Sequence, residues 1–213
     1  MKRRADSFKR LLLRWYRRHA RSLPWRETRD PYRVIVSEFM LQQTQVSRVE
    51  EFYPRFIARY PTIERLARAR PKSVMETWAG LGYYARARNL HALARTVVKD
   101  HGSVIPSDTE TLQTFPGVGR YTAGAVACFA FEKREAAVDT NVNRVVGRVF
   151  GTDRIWETTE KILPRRGKPV WDFNQALMDL GARICVARTP RCPECPVKTV
   201  CLYQRRANQR KQT

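Results

Sequence analysis

Four of the five cysteines in this 213-residue chain lie in one short segment, at Cys185, Cys192, Cys195 and Cys201. Their spacing, C-x6-C-x2-C-x5-C, can deliver four thiolates to a single centre. Zinc modules usually draw two C-x-x-C pairs from separate knuckles, and only one such pair exists here. A compact loop of this kind suits a 4Fe-4S cluster better. A zinc site and unligated thiols are the alternatives, and neither accounts for so tight a spacing. Pro190, Pro193 and Pro196 stiffen the loop, while Arg183, Arg188, Arg191 and Lys198 surround it with charge that offsets four thiolates. Cys128 stands apart in an apolar stretch and reads as a core thiol.

A second element with chemistry in it runs from Phe115 through Pro116, Gly117, Val118, Gly119, Arg120 and Tyr121 to Gly124. Proline and two glycines permit a tight turn that exposes backbone N–H groups at the start of the following helix, a natural cradle for a phosphate oxygen. Arg120 can add a charge-assisted bond. Many helix–helix turns use glycine for no other reason than the turn, so the motif gains its meaning from the charge around it.

Two carboxylates complete the set. Glu38 lies among Val36, Phe39 and Met40, where burial would raise its pKa, as a general acid requires. Asp139 precedes Asn141 at the start of a helical stretch. Taken alone, Glu38 reads equally as a solvated helix residue and Asp139 as a helix cap.

The elements that must position these residues read as helix after helix. Ser7 can cap a first helix carrying Phe8, Leu11, Leu12, Trp15 and Tyr16 at helical spacing. Asp30-Pro31 is a strong start signal, followed by Tyr32, Ile35, Val36, Phe39, Met40, Gln43 and Val46 at steps of three and four. Pro54, Pro61 and Pro71 punctuate three short helices, and Gly80-Leu81-Gly82 makes a turn before a long helix from Tyr84 to Lys99. Ser107 and Glu110 have capping-box spacing. Further helices follow over 121–131, over 141–150 and past Trp171, and a basic polar tail ends the chain. No strand pattern and no fixed-period repeat is present, so the fold class is all-α.

Composition narrows the partner. Forty-one basic against 20 acidic residues give a formal net charge of +21, which draws a protein toward polyanions, nucleic acid first among them. No apolar run is long enough to cross a bilayer, and the basic N-terminus lacks a signal-peptide core. A cytoplasmic, nucleoid-associated monomer is the expectation.

Hairpin, Asp139 and cysteine loop together resemble the helix-hairpin-helix (HhH-GPD) glycosylases, the superfamily of endonuclease III. Within it, Trp25-Arg26, the run from Ser37 to Val46, the run from Gly80 to Leu90 and Phe173-Asn174-Gln175-Ala176 look most like the MutY adenine glycosylases. The likeness extends from about Leu23 to Cys201.

It implies a monofunctional DNA glycosylase of base excision repair that hydrolyses the N-glycosidic bond of adenine mispaired with guanine or 8-oxoguanine in double-stranded DNA. Glu38 then matches the general acid that protonates adenine at N7 and handles the water, and Asp139 the residue that stabilises the cationic sugar, a division parallel to glycoside hydrolysis. Tyr121 and Asn141 match residues that position the sugar and Asp139. Endonuclease III carries a lysine where Tyr121 stands, and a phenol cannot form its Schiff base, so no β-lyase activity is expected. Gln43 and Tyr83 match residues that wedge into the duplex as the base is extruded. Trp25, Arg26, Leu41 and Gln175 match the adenine-pocket neighbourhood. Gly117, Gly119 and Arg120 take phosphate, and the hairpin carbonyls are a candidate seat for a monovalent cation.

The architecture implied is two helical lobes flanking a DNA-binding cleft. A six-helix bundle with the hairpin spans 23–133, an iron-sulfur cluster lobe combines 1–22 with 134–204, and 205–213 is the tail. MutY proteins carry a C-terminal domain that reads 8-oxoguanine, and Leu202 to Thr213 is too short to form one, so preference for that base is expected to be weakened. Tyr121 and the Cys-Val-Ala-Arg-Thr-Pro-Arg-Cys segment also resemble the archaeal thymine-DNA mismatch glycosylases, making thymine or uracil removal from G mispairs the first alternative. A non-catalytic iron-sulfur DNA-binding module is the second, and an electron-transfer protein the third.

Overall fold

Helical periodicity runs almost the length of the chain, and the computed structural model, which describes residues 2–209, is helical in every regular element among them. These residues fall into two compact units. One is Ser22–Phe131; the other joins the segment up to Arg21 with the segment from Glu132 onward.

The Ser22–Phe131 unit is built around α2 (Pro31–Leu41), whose residues are buried on almost every side, as in a core helix. The Asp30 carboxylate accepts from the N–H groups of Tyr32 (2.8 Å) and Arg33 (3.2 Å), and Pro31 occupies the first helical position. The helix stops at Leu41 rather than running on to Val46, because Gln43 takes a left-handed backbone (φ 55°) and α3 (Val46–Arg59) begins on a new axis. Pro54 lies inside α3 instead of ending it, and Val49, Phe52, Tyr53 and Phe56 keep one buried stripe across it. The short α4 (Ile63–Ala67) and α5 (Pro71–Trp78) pack on α6 (Ala85–Asp100). Asp108, not Ser107, caps α7 (Thr109–Gln113), and α8 (Arg120–Phe131) buries Thr122 through Phe129, Cys128 included, against α2.

In the other unit α1 begins at Lys2, so Ser7 is an interior residue rather than a cap, and the helix runs to His19. Its buried Phe8 meets the rings of Phe150 and Phe173 edge-on at 5.3 and 6.1 Å, and burial of one such ring contributes about 1.5–3 kcal/mol. Phe150 ends α9 (Thr140–Phe150), and Phe173 lies on α11 (Lys168–Arg183), which packs on both α1 and α9. Between them comes α10 (Ile155–Ile162). The fully buried Asp179 of α11 accepts from Arg21 Nε at 2.6 Å and from its backbone N–H at 3.2 Å, fixing the chain as it leaves α1. The expected tail is helical as far as Gln209, as α12 (Leu202–Gln209), and residues 210–213 lie outside the described residues.

Candidate active site

Glu38 lies in the last turns of α2, where the apolar flanks Val36, Phe39 and Met40 are all buried, and it is itself only 4% exposed. The end of the same helix holds a feature that periodicity does not reveal. Two of the chain's loop residues, Gln43 and Tyr83, have left-handed backbones at φ 55° and 48°, a conformation that costs a side-chain-bearing residue roughly 1–3 kcal/mol. Between them sits the guanidinium of Arg86, 7% exposed. Its Nη1 donates to the carbonyls of Phe39 (3.0 Å), Met40 (2.8 Å) and Gln42, and its Nη2 to those of Leu81 (3.3 Å) and Gly82 (3.1 Å). These carbonyls end α2 and form the Gly80–Gly82 turn. Charge-assisted bonds are worth about 1.5–3 kcal/mol each, enough together to offset strain at two positions. Burial lowers the Arg86 pKa, and the neighbouring Tyr83 raises it.

The glycine hairpin is a type II turn. Val118 N–H donates to Phe115 C=O at 3.1 Å across Pro116 and Gly117, and Gly117 supplies the positive φ (77°) that the third position of this turn demands. A side chain there would also strike Asn89 at 2.9 Å and Phe39 at 3.0 Å. Gly119 differs, because a Cβ on it would meet nothing within 4 Å, so no internal contact explains that glycine. Arg120 and Tyr121 form the first turn of α8, and Gln42 Nε2 makes a long bond (3.5 Å) to Gly117 C=O.

Asp139 caps α9 through Oδ1, which accepts from Val142 N–H at 2.7 Å. Its Oδ2 accepts from Asn141 Nδ2 at 2.9 Å. Asn141 Oδ1 accepts in turn from Arg144 Nη2 at 2.7 Å, and that guanidinium donates to Gly181 C=O (2.8 Å) and Cys185 C=O (2.7 Å). A continuous hydrogen-bonded chain therefore links the Asp139 carboxylate to the first residue of the cysteine loop. Gly181 makes the approach feasible, since a Cβ there would lie 2.6 Å from Asn141 Cβ. Upstream, Asn174 holds the approach to Asp139: it accepts from Ala137 N–H (3.0 Å) and donates to Glu135 C=O (3.0 Å).

All four loop cysteines line one cavity of about 370 Å³, part of it open to solvent, with Val145, Val149, Leu180 and Val197 among its apolar walls. None of them is in a disulfide. Burial, with the neighbouring thiols adding to it, pushes Cys192 and Cys201 up and Cys195 up to about 11. Arg148 anchors the loop by donating to Val186 C=O and Ala187 C=O, each at 2.7 Å, with its Nη1 3.5 Å from Cys185 Sγ. Among the described residues no group of three or more His, Cys, Asp or Glu side chains is arranged to hold a metal ion as the structure stands. The donor set itself, four thiols on one largely apolar cavity with an arginine beside them, fits an iron-sulfur cluster.

Residues 36–170 match the model of the HhH-GPD superfamily of base excision DNA repair proteins. The chain belongs to this superfamily. This HhH-GPD protein is 46% identical to the adenine DNA glycosylase of Mycobacterium tuberculosis over 196 residues, which cover 87% of the chain and 64% of that protein. It is 36% identical to the thymine-DNA glycosylase of Aeropyrum pernix, covering 94% and 95% of the two. Its fold matches the structure of a thermostable thymine-DNA glycosylase with a TM-score of 0.90 at 33% identity, covering 96% of the chain and 98% of that structure.

Within the HhH-GPD protein the residues singled out from sequence divide between the units. Trp25, Arg26, Glu38, Leu41, Gln43, Tyr83, Gly117, Gly119, Arg120 and Tyr121 belong to Ser22–Phe131, while Asp139, Asn141, Gln175 and the four cysteines belong to the other. Trp25 is buried edge-on against Tyr53 (5.6 Å) on a 3₁₀ turn, Pro24–Arg26, and Gln175 is buried midway along α11. Sequence reasoning missed Arg144, Arg148 and Gly181, whose partners lie 37 to 41 residues away along the chain. In the sequence, Arg86 stands out only as part of the run from Gly80 to Leu90. Arg144 falls three residues after Asn141 on one helical face, a spacing that could have flagged it.

Proposed function

We propose that the chain is a monofunctional DNA glycosylase that removes adenine mispaired with guanine or 8-oxoguanine. The observation that carries this reading is a buried carboxyl, Glu38, within a run resembling that of the adenine enzymes, in a chain closely similar to proteins named adenine DNA glycosylase. The chain spans 64% of the mycobacterial relative's length, so the substrate is inferred from the shared part.

In the proposed reaction Glu38 delivers a proton to adenine N7, the glycosidic bond breaks with its electron pair leaving on the base, and the deoxyribose becomes cationic. Asp139, its carboxylate held in place by Asn141 and the α9 N-terminus, stabilises that charge. Water adds to the sugar and returns its proton to Glu38. The burial of Glu38 keeps bulk water from the proton it delivers. Tyr121 takes the hairpin position at which a lysine would drive strand cleavage, so the product is an intact abasic strand. The duplex backbone is bound by the hairpin N–H groups and Arg120, and the open space at Gly119 supports close approach of a phosphate there. Gln43 and Tyr83 enter the duplex, and Trp25, Arg26, Leu41 and Gln175 serve the extruded base. Cys185, Cys192, Cys195 and Cys201 would hold a 4Fe-4S cluster, which would supply a rigid cross-link for the loop.

A second reading, removal of thymine from G mispairs, is favoured by the Aeropyrum relative, which is matched over nearly its whole length. Single-turnover base release from duplexes containing A:8-oxoG, A:G, T:G or U:G, with and without alkali, separates the two. Adenine release with alkali-dependent strand breakage is expected, and release of thymine or uracil alone would overturn the adenine assignment. Glu38→Gln is expected to slow release by on the order of 10²-fold or more with DNA binding retained.

A further inference from the structure

Arg86 is a costly residue where it stands. A buried guanidinium forfeits its hydration, and replacing such a charge with a well-packed apolar side chain is often neutral or stabilising. It also lies in the first turn of α6, where the helix dipole disfavours a cation. No carboxylate pairs with it among the described residues; its partners are the five backbone carbonyls and the rings of Trp78 and Tyr83, with centroids 5.6 and 5.4 Å from Cζ.

Those carbonyls are not a random set. Three close the end of α2, immediately before Gln43, and two belong to the turn immediately before Tyr83. Gln43 and Tyr83 are two of the four non-glycine residues with left-handed backbones among the described residues, and Tyr83 is 60% exposed, its large ring standing in solvent. Thr44 N–H donates to Leu41 C=O at 3.3 Å and closes a turn around Gln42 and Gln43, but that bond does not tie this loop to the one before Tyr83. Only a side chain able to donate in a rigid planar fork to both loops at once fixes one relative to the other; a lysine, as a point charge on a flexible stem, cannot.

We infer that Arg86 is a positioning residue that fastens the Gln42–Gln43 and Gly80–Tyr83 loops into one preformed wedge. The inference rests on the proposed reading that Gln43 and Tyr83 enter the duplex as the base is extruded. Preforming the wedge removes the ordering cost from the moment of binding.

The test uses the full chain and Arg86→Lys. In the DNA-free protein, amide hydrogen exchange is expected to accelerate together in residues 41–44 and 80–84 and to stay unchanged at the hairpin, 115–119. Unchanged exchange in the two loops overturns the inference whatever the protein releases. In single-turnover assays Arg86→Lys is expected to slow base release at least tenfold, with a matching loss of 2-aminopurine fluorescence from the extruded position. In a Gln43→Ala/Tyr83→Ala background the same substitution should cost nothing further, because the groups it positions are gone. Full additivity there means that Arg86 acts by another route and sinks the proposal. Absence of base release by the unsubstituted protein would overturn the glycosylase reading instead, with the exchange result still deciding the clamp.

Discussion

Asp139 carries two roles that a single substitution can separate. As the cap of α9 its Oδ1 satisfies the Val142 N–H, and any short side chain with an oxygen in that place would serve. As the partner of a developing sugar cation it must be charged. Asp139→Asn keeps the capping oxygen and removes the charge, at the cost of turning an NH2 toward the Asn141 amide, a loss of about 1 kcal/mol. Thermal unfolding should therefore change little, while base release falls by at least about 10²-fold. A release rate near that of the unsubstituted protein would reduce Asp139 to a cap. Arg144 acts one step back, through Asn141. Arg144→Gln loses the bonds to Asn141, Gly181 and Cys185, and at about 1.5–3 kcal/mol for one charged bond the expected slowing is on the order of 10- to 100-fold. Restoration of that rate by Arg144→Lys would show that charge alone, not the fork, is what Asn141 needs.

At the level of elements, the decisive contact is α9 against α11. Gly147 and Gly181 are both helical glycines, and alanine would gain each helix up to about 1 kcal/mol of intrinsic propensity. At Gly147 the added Cβ meets Ile155 Cδ1 at 3.4 Å, an ordinary contact. At Gly181 it meets Asn141 Cβ at 2.6 Å and the Asn141 backbone at 3.0 Å, so α11 must move off α9. Gly181→Ala should destabilise by about 1–3 kcal/mol, roughly 2–10 °C in Tm for a chain of this size, and Gly147→Ala should be neutral or stabilising. Equal Tm values for the two variants in a melting experiment would contradict the close packing.

The same contrast marks what was legible in the sequence. Starts that depend on a few adjacent residues, such as Asp30-Pro31 and the Pro116-Gly117 turn, could be read directly. Ser7 and Ser107 misled because good helix formers preceded the one and a better cap, Asp108, followed the other. The break after Leu41 was invisible, since apolar spacing continues through it to Val46 and the residue that holds it open, Arg86, lies more than 40 positions away. The cysteines announced themselves by type and spacing, whereas Glu38 and Asp139 gained their reading only from the family resemblance. Gly181 and the two arginines of α9 did not, because what defines them is a partner across the fold.

For the whole molecule the governing quantity is charge. A formal +21 on 213 residues is spread over both units, and no helix among the described residues is long and apolar enough to cross a membrane. Among the described residues, ion pairs such as Arg48–Glu51 and Lys168–Asp172 are short-range surface contacts, worth little in water. Basic residues outnumber acidic ones by 41 to 20, and each phosphate neutralised on duplex DNA should contribute about −0.9 to the slope of log K against log salt. If six to ten phosphates are engaged, raising salt from about 50 to about 200 mM weakens duplex binding by roughly 10³- to 10⁵-fold. Fluorescence anisotropy on matched duplexes across that range measures the slope. Charge reversal at Arg120, one cation on the hairpin, should lower it by about one phosphate equivalent, whereas Glu38→Gln, which removes a buried group and no phosphate contact, should leave it unchanged. A slope near zero in the unsubstituted protein would mean that the charge serves some partner other than duplex DNA, and a slope unaltered by Arg120→Glu would move the phosphate contact away from the hairpin.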